Sequence, residues 1–319
     1  MLIEEKIISL IDQSRNILVV SHKNPDGDTL GSACSLIQYC QLKNKTVNGF
    51  CVDQIPDNLS FLLPKINFLH DKEALNIGKH DLVISVDCGE LKQTGIHEIL
   101  SNRPAKTFFI NIDHHFTNDN YGDLNLVHSK ASSTSEIVYN IFNSQNIKIT
   151  KGITNCLLTG ILTDTTYFSN AATTIDSIRA ASSLLTQGAK IKEITQNIWK
   201  NKNVTSLKLW GRIFDRLIHD NERGIVTAII TREDVTMDDL PDDALEGMSN
   251  FLTSLYEAKV IIVLTQMKEN IIKGSLRTTH HDIDVSALAK TLGGGGHRKA
   301  AGFTVQGNLV EKKEGWVVL

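Results

Sequence analysis

Acidic and imidazole side chains stand in this sequence where apolar runs stop. Ile17–Val20 is followed by His22, Asp26 and Asp28; Leu82–Val86 by Asp87; and Phe108–Ile112 by Asp113, His114 and His115. Asp164 closes a further apolar stretch that begins at Cys156. Carboxylates and imidazoles with no thiolate cluster favour hard or borderline divalent ions, Mn²⁺ or Mg²⁺, over a structural zinc. Five aspartates and two or three histidines are too many for one ion. They suit two ions roughly 3.5–4 Å apart that share a carboxylate. Without cations, so many clustered acids would repel one another. An ion pair of this kind lowers the pKa of a bridging water and neutralises charge on a phosphoryl group during in-line displacement.

Each residue also has a plainer reading. An aspartate after a strand is often a turn or helix cap. Pro25-Asp26-Gly27-Asp28 alone could be a simple turn, with Asp28 capping the next helix. His114 and His115 alone could be one half-buried and one solvated side chain. The joint pattern carries the metal reading, because three strand ends and Asp164 would rarely assemble this inventory by chance.

For these residues to meet, the elements before them must converge. Asn16–Ser21, Thr46–Val52, Asp81–Asp87 and Thr107–Asp113 read as strands, with a helix through Leu36 and Tyr39 after the first. Helical patterns follow at 133–145, 153–164 and 174–187. Strands alternating with helices predict an α/β fold, a mostly parallel sheet flanked by helices. In such sheets ligands bind outside the carboxyl ends of the strands. A second, smaller α/β domain is expected after that: a helix at 205–220, a strand at 224–231, a helix at 241–257, a hairpin of strands 260–267 and 271–277 turning at Glu269-Asn270, and a helix at 284–292. The expected division is 1–188, a linker at 189–204, and 205–319.

At 319 residues the chain is too long for one ordinary core, and 41% hydrophobic with 22% charged residues is normal for a folded soluble protein. A net charge of −3 and a pI near 6.4 argue against bulk binding of long nucleic acid, which relies on a broad basic surface. A small anionic substrate in a local basic pocket remains compatible. The five scattered cysteines form no CxxC pair and read as reduced thiols. With an acidic N-terminus unlike a signal peptide and no apolar run long enough to span a bilayer, a cytoplasmic location is expected.

The second half offers an anion-binding set. Ser275 and Arg277 lie on one predicted strand, and Gly293–Gly296 precede His297, Arg298 and Lys299. Glycine-rich backbone can approach an anion and present N–H groups to it, and an arginine can grip phosphate with two parallel bonds. Alone, the glycine run could equally be a flexible loop.

His22-Lys-Asn-Pro-Asp-Gly-Asp28, Val86-Asp87-Cys88, Asp113-His114-His115 and Gly160-Ile-Leu-Thr-Asp164 resemble, in order, the four motifs of the DHH phosphoesterase superfamily. Ser275-Leu276-Arg277, Asp284-Val285-Ser286 and Gly293–Gly302 resemble its DHH-associated C-terminal domain. The resemblance covers nearly the whole chain. It implies two Mn²⁺ sites, with Mg²⁺ as the alternative. His22, Asp26 and Asp87 would hold one ion. Asp28, Asp87, His114 and Asp164 would hold the other, so that Asp87 bridges. Asp113 would orient a histidine, and His115 would sit near the phosphate. Ser275, Arg277, Gly294, Gly295, Gly296 and His297 would grip substrate, with the active site in a cleft between the domains. The compact two-domain form is similar to the nanoRNase and pAp-phosphatase branch. That implies hydrolysis of short oligonucleotides to mononucleotides, or removal of the 3′-phosphate of pAp. The alternatives are a pApA phosphodiesterase of cyclic-di-AMP turnover and a RecJ-like single-strand exonuclease. No partnership with long duplex nucleic acid or with a membrane is expected. The resemblance allows a homodimer.

Overall fold

The structure is a computed structural model that describes residues 2–63, 66–198, 204–236, 244–245, 247–267, 270–296, 298–312 and 315–319. It divides into two compact units, Met1–Asn201 and Lys202–Leu319.

In the first unit the strands are β1 (Asn16–Val20), β2 (Thr46–Phe50), β3 (Phe68–Leu69), β4 (Leu82–Val86), β5 (Phe108–Asp113) and β6 (Leu124–Val127). The helices are α1 (Ile3–Gln13), α2 (Gly27–Leu42), α3 (His97–Ser101), α4 (Thr134–Ser144), α5 (Lys151–Asp164), α6 (Ile175–Thr186) and α7 (Ile191–Ile198). All six strands are parallel, in the order β3-β2-β1-β4-β5-β6. Central parallel strands are buried on both faces, and β1 divides its side chains accordingly. Ile17 and Val19 enter the core under α1, α2, α4 and α5, while Leu18 and Val20 join Phe50, Ile96, Leu100 and Phe109 on the other face. The order reverses between β1 and β4. That reversal is where a doubly wound sheet opens a crevice at its carboxyl edge, and His22 and Asp87 follow these two strands.

The second unit contains α8 (Val204–Asp215), β7 (Ile218–Asp220), β8 (Ile225–Ile230), α9 (Arg232–Val235), α10 (Met248–Leu252), β9 (Val260–Gln266), β10 (Ile271–Arg277), α11 (Val285–Thr291), β11 (Gly295–Gly296), β12 (Ala300–Gln306), β13 (Leu309–Lys312) and β14 (Gly315–Val318). Its main sheet runs β11-β12-β10-β9-β8-β7, and β13 pairs with β14. Only β8 and β9 are parallel among the described pairs of this sheet. One face packs Leu209 and Ile213 of α8 on Val226, Ala228 and Ile261; α11 covers the other face with Val285 and Ala289.

Two expectations need correction. The helix expected to Asp220 stops at Asp215, because Ile218–Asp220 pairs with β8. The Asp220 carboxylate accepts from the backbone N–H groups of Glu222 and Arg223, and Gly224 is left-handed, so these residues form a hairpin turn. The span expected as a linker, 189–204, carries α7, whose Ile194 is fully buried in the first unit's core. Part of the helix expected at 241–257, and part of the turn at Glu269, lie outside the described residues; α10 covers Met248–Leu252. Among the described residues, no helix is long and apolar enough to cross a membrane.

Candidate metal centre

Three loops and two helix ends bring the predicted ligands together. The loop after β1 supplies His22. It then turns into α2, where Asp26 is the N-cap, its carboxylate accepting from the N–H groups of Asp28 and Thr29. Asp26 therefore caps the helix that the plainer reading had assigned to Asp28. Asp28 is inside the first turn and buried. Asp87 follows β4 with φ 60, a left-handed conformation that is rare for any residue but glycine, asparagine and aspartate. Its backbone N–H donates to the Ile112 carbonyl of neighbouring β5. Asp164 is the last residue of α5.

The imidazoles are oriented by what their Nδ1 atoms touch. His22 Nδ1 is 2.8 Å from the Lys23 carbonyl, and His114 Nδ1 is 3.4 Å from the Ala131 carbonyl. A carbonyl only accepts, so each Nδ1 carries a proton, and in the neutral ring each Nε2 presents the lone pair. His22 Nε2 faces Asp87 Oδ2 at 3.4 Å and Asp26 Oδ1 at 3.7 Å. His114 Nε2 faces Asp87 Oδ1 and Asp164 Oδ2, each at 3.5 Å. Asp113 stands behind the third ring: its Oδ1 accepts from His115 Nδ1 at 2.6 Å and from the His114 N–H at 2.8 Å.

Ligand atoms of His22, Asp26 and Asp87 lie within 4.8 Å of one another, as do those of Asp28, His114 and Asp164, and those of Asp87, His114 and His115. Separations of 3.4–3.7 Å between nitrogen and oxygen exceed a good hydrogen bond. They suit donors arranged about a shared ion roughly 2.1 Å from each. The neighbouring thiol takes no part, since Cys88 donates to the Val86 carbonyl, and burial with the Asp87 charge pushes its pKa well up.

Electrostatics point the same way. Burial, followed by repulsion from Asp87, pushes the Asp28 carboxyl up to about 7. Burial, then Asp28 and Asp87, holds Asp164 well above the usual carboxylate range. Burial alone would lower the pKa values of His22, His114 and His115; the surrounding carboxylates outweigh it and raise all three. This is a pocket of mutually repelling acids that takes up protons unless a cation takes their place.

That exchange sets a pH dependence. A carboxyl whose folded pKa is raised stabilises the fold below its ordinary value of 3.8, and that stability is lost as pH rises through about 7. The raised histidines act in the same direction. Asp113 is lowered, its contacts with His115 and Asn118 outweighing burial, and acts in the opposite sense below the ordinary carboxylate value. Protein in chelator is therefore expected to melt several degrees lower at pH 8 than at pH 5, and added Mn²⁺ to restore more at pH 8. Thermal melts with and without the ion check this; a flat profile in chelator would contradict the repulsion.

Three supporting residues escaped the sequence reading. Asn118 Nδ2 donates to Asp113 Oδ2 at 2.6 Å and to the Cys88 carbonyl at 3.1 Å, tying the loops after β4 and β5 together. Thr134 and Ser135 open α4, and their backbone N–H groups donate to Asp28 Oδ2 at 2.7 Å and Oδ1 at 2.8 Å. A helix N-terminus is a favourable partner for a carboxylate. The only advance signal was Ser133-Thr-Ser-Glu136, a helix-start pattern.

In the second unit, β10 points Ser275 and Arg277 away from buried Leu276. Ser275 and Gly295 both lie opposite Gly302, which brings them together across three strands. Arg277 is half-buried, and burial lowers its pKa. Gly293 ends α11 in a left-handed conformation, and a Cβ at Gly294 would meet the Gly302 carbonyl at 2.1 Å. Close packing is thus one reason for the glycine run. His297 lies outside the described residues.

The chain belongs to the DHH family: residues 16–161 match its N-terminal domain, and residues 211–315 match the DHHA1 domain. It is 30% identical to the bifunctional oligoribonuclease and PAP phosphatase NrnA of Thermus thermophilus, over 91% of this chain and 84% of that one. It is 25% identical to NrnA of Bacillus subtilis, over 94% and 91%. An exopolyphosphatase-related protein from Bacteroides fragilis shares the fold with a TM-score of 0.88, at 24% identity over 94% of this chain and 90% of that one.

Proposed function

We propose that the chain is a phosphoester hydrolase that uses two divalent ions, Mn²⁺ in the first place, to act on short oligonucleotides and on nucleoside 3′,5′-bisphosphates such as pAp. The observation that carries this reading is Asp87, whose two carboxylate oxygens face histidines of different donor groups. His22, Asp26 and Asp87 would hold one ion; Asp28, Asp87, His114 and Asp164 would hold the other. Two such ions, when bound, supply a nucleophile at neutral pH and neutralise charge on a phosphoryl group.

The chain's own residues do the rest. His115, its ring oriented by the Nδ1 contact with Asp113, is the imidazole we assign to the substrate side. Its raised pKa favours the charged form, which donates to an anion. Asp113 holds that ring and its charge. In the C-terminal unit, Arg277 and Ser275, with the backbone of Gly294–Gly296, are suited to a terminal phosphate. These groups recognise charge, in keeping with a substrate defined by size and charge.

The names of the NrnA relatives support this substrate class, and the net charge of −3 counts against a processive enzyme on long strands. The test is a product assay with Mn²⁺ on pAp, pApA and a length series from dinucleotide upward. Release of mononucleotide or phosphate from pAp and from the shortest oligonucleotides, falling away with length, is expected. Equal cleavage of a long single strand, or no Mn²⁺-dependent release, would overturn the reading. Activity confined to pApA would replace it with the narrower phosphodiesterase.

A further inference from the structure

Thr134 touches two of the proposed ligands at once. Its backbone N–H donates to Asp28 Oδ2 at 2.7 Å, and its hydroxyl donates to Asp87 Oδ1 at 3.0 Å. It is fully buried, so neither bond competes with solvent. That hydroxyl is a side-chain donor to the same Asp87 oxygen that faces His114. The start of α4 is held stiffly around it. Ser133 caps the helix by accepting from the Glu136 N–H, and Glu136 accepts in turn from the N–H and hydroxyl of Ser132.

The geometry matters because of what Asp87 must do. Its Oδ2 faces His22 at 3.4 Å and its Oδ1 faces His114 at 3.5 Å. A carboxylate rotates readily about its last torsion. Rotation would turn both oxygens away from one histidine or the other. The backbone of Asp87 fixes where the carboxylate begins; something else must fix its plane.

We infer that Thr134 is the positioning residue that sets this plane, giving one oxygen of Asp87 to each donor group and locking Asp28 beside it. The inference rests on the two-ion reading of the centre. Thr134 touches no substrate. It acts through Asp87 and Asp28, so its loss should appear first in ion affinity and only through that in turnover.

Thr134→Val keeps the shape and the backbone bond to Asp28 and removes only the hydroxyl. Thr134→Ser keeps the hydroxyl and removes a methyl group. Mn²⁺ is titrated into each chelated protein, and kcat and KM are measured on a dinucleotide at limiting and at saturating Mn²⁺. In Thr134→Val one ion is expected to bind nearly as in the unaltered protein and the second about 10–100-fold more weakly, the range for losing a partner behind a ligand. kcat at limiting Mn²⁺ should fall by a similar factor, recover as Mn²⁺ is raised, and leave KM for the dinucleotide unchanged. Thr134→Ser should resemble the unaltered protein. A general packing defect would leave both ion affinities alone, or impair both variants equally; either result overturns the inference. If the unaltered protein itself fails to take up two ions, the two-ion reading falls and takes this one with it. Equal affinities in the unaltered protein and Thr134→Val, with two ions bound in each, overturn the inference alone.

Discussion

Asp87→Asn is expected to lower turnover by about a thousandfold or more while leaving the fold intact. Asp87 would hold both ions, which when bound would stabilise developing charge by several kcal/mol, and each 1.36 kcal/mol is about tenfold in rate. Asparagine is the informative replacement. Asp87 has φ 60, and asparagine tolerates that region nearly as well, whereas alanine would add backbone strain to the lost ligand. The amide keeps one oxygen but turns an NH₂ group toward the other histidine, so only one donor group retains a ligand there. In chelator near neutral pH the variant should melt at or above the unaltered protein, since burial remains but one of the charges that add to it in raising Asp28 and Asp164 is gone. Near-normal Mn²⁺-dependent turnover in this variant would remove Asp87 from the centre of the account.

The second large effect is expected at a residue with no side chain. Gly160 lies inside α5, one turn before Asp164. A Cβ there would sit 1.9 Å from Ser135 Oγ and 2.7 Å from Asp28 Oδ1. Neither neighbour can yield cheaply, because the Ser135 N–H holds Asp28 Oδ1 at 2.8 Å and α2, α4 and α5 share one core. Overpacking of this kind typically costs about 1–3 kcal/mol of stability. In Gly160→Ala the cost falls on the site as well, since moving α5 outward carries Asp164 away and moving Ser135 releases Asp28. Activity is expected to drop at least about a hundredfold, because displacement of a reacting arrangement by an ångström costs on that order. Thermal melting and kcat measured together check this. Lost stability with unchanged activity would mean that the helix contact is packing alone.

Much of this was legible in the sequence, for identifiable reasons. β1, β4 and β5 were readable because buried parallel strands are continuous apolar runs, and each stops at ligand-type residues. The reversal of strand order between β1 and β4 was not legible, since nothing local encodes which strand lies next to which. β6, with Leu-Asn-Leu-Val at the sheet edge, is short and half-polar and gives no comparable signal. β7 was absorbed into a helix for the same reason. In the site, side chains that would face an ion directly could be picked out by type. Thr134, Ser135 and Asn118 could not, because threonine, serine and asparagine are the ordinary residues of helix starts and turns. Their role comes from positions reached only after folding: α4 arrives beside Asp28 from 106 residues away in the chain.

The central claim is that Asp87 divides itself between two ions. Titration of chelated protein with Mn²⁺, followed by calorimetry, tests it most directly when the unaltered chain and Asp87→Asn are compared. Two ions per chain are predicted for the first, with proton release near neutral pH as Asp28 and Asp164 give up their protons. Weakened binding of both ions is predicted for the second. One ion in the unaltered chain, or two bound with undiminished affinity in Asp87→Asn, would contradict the account.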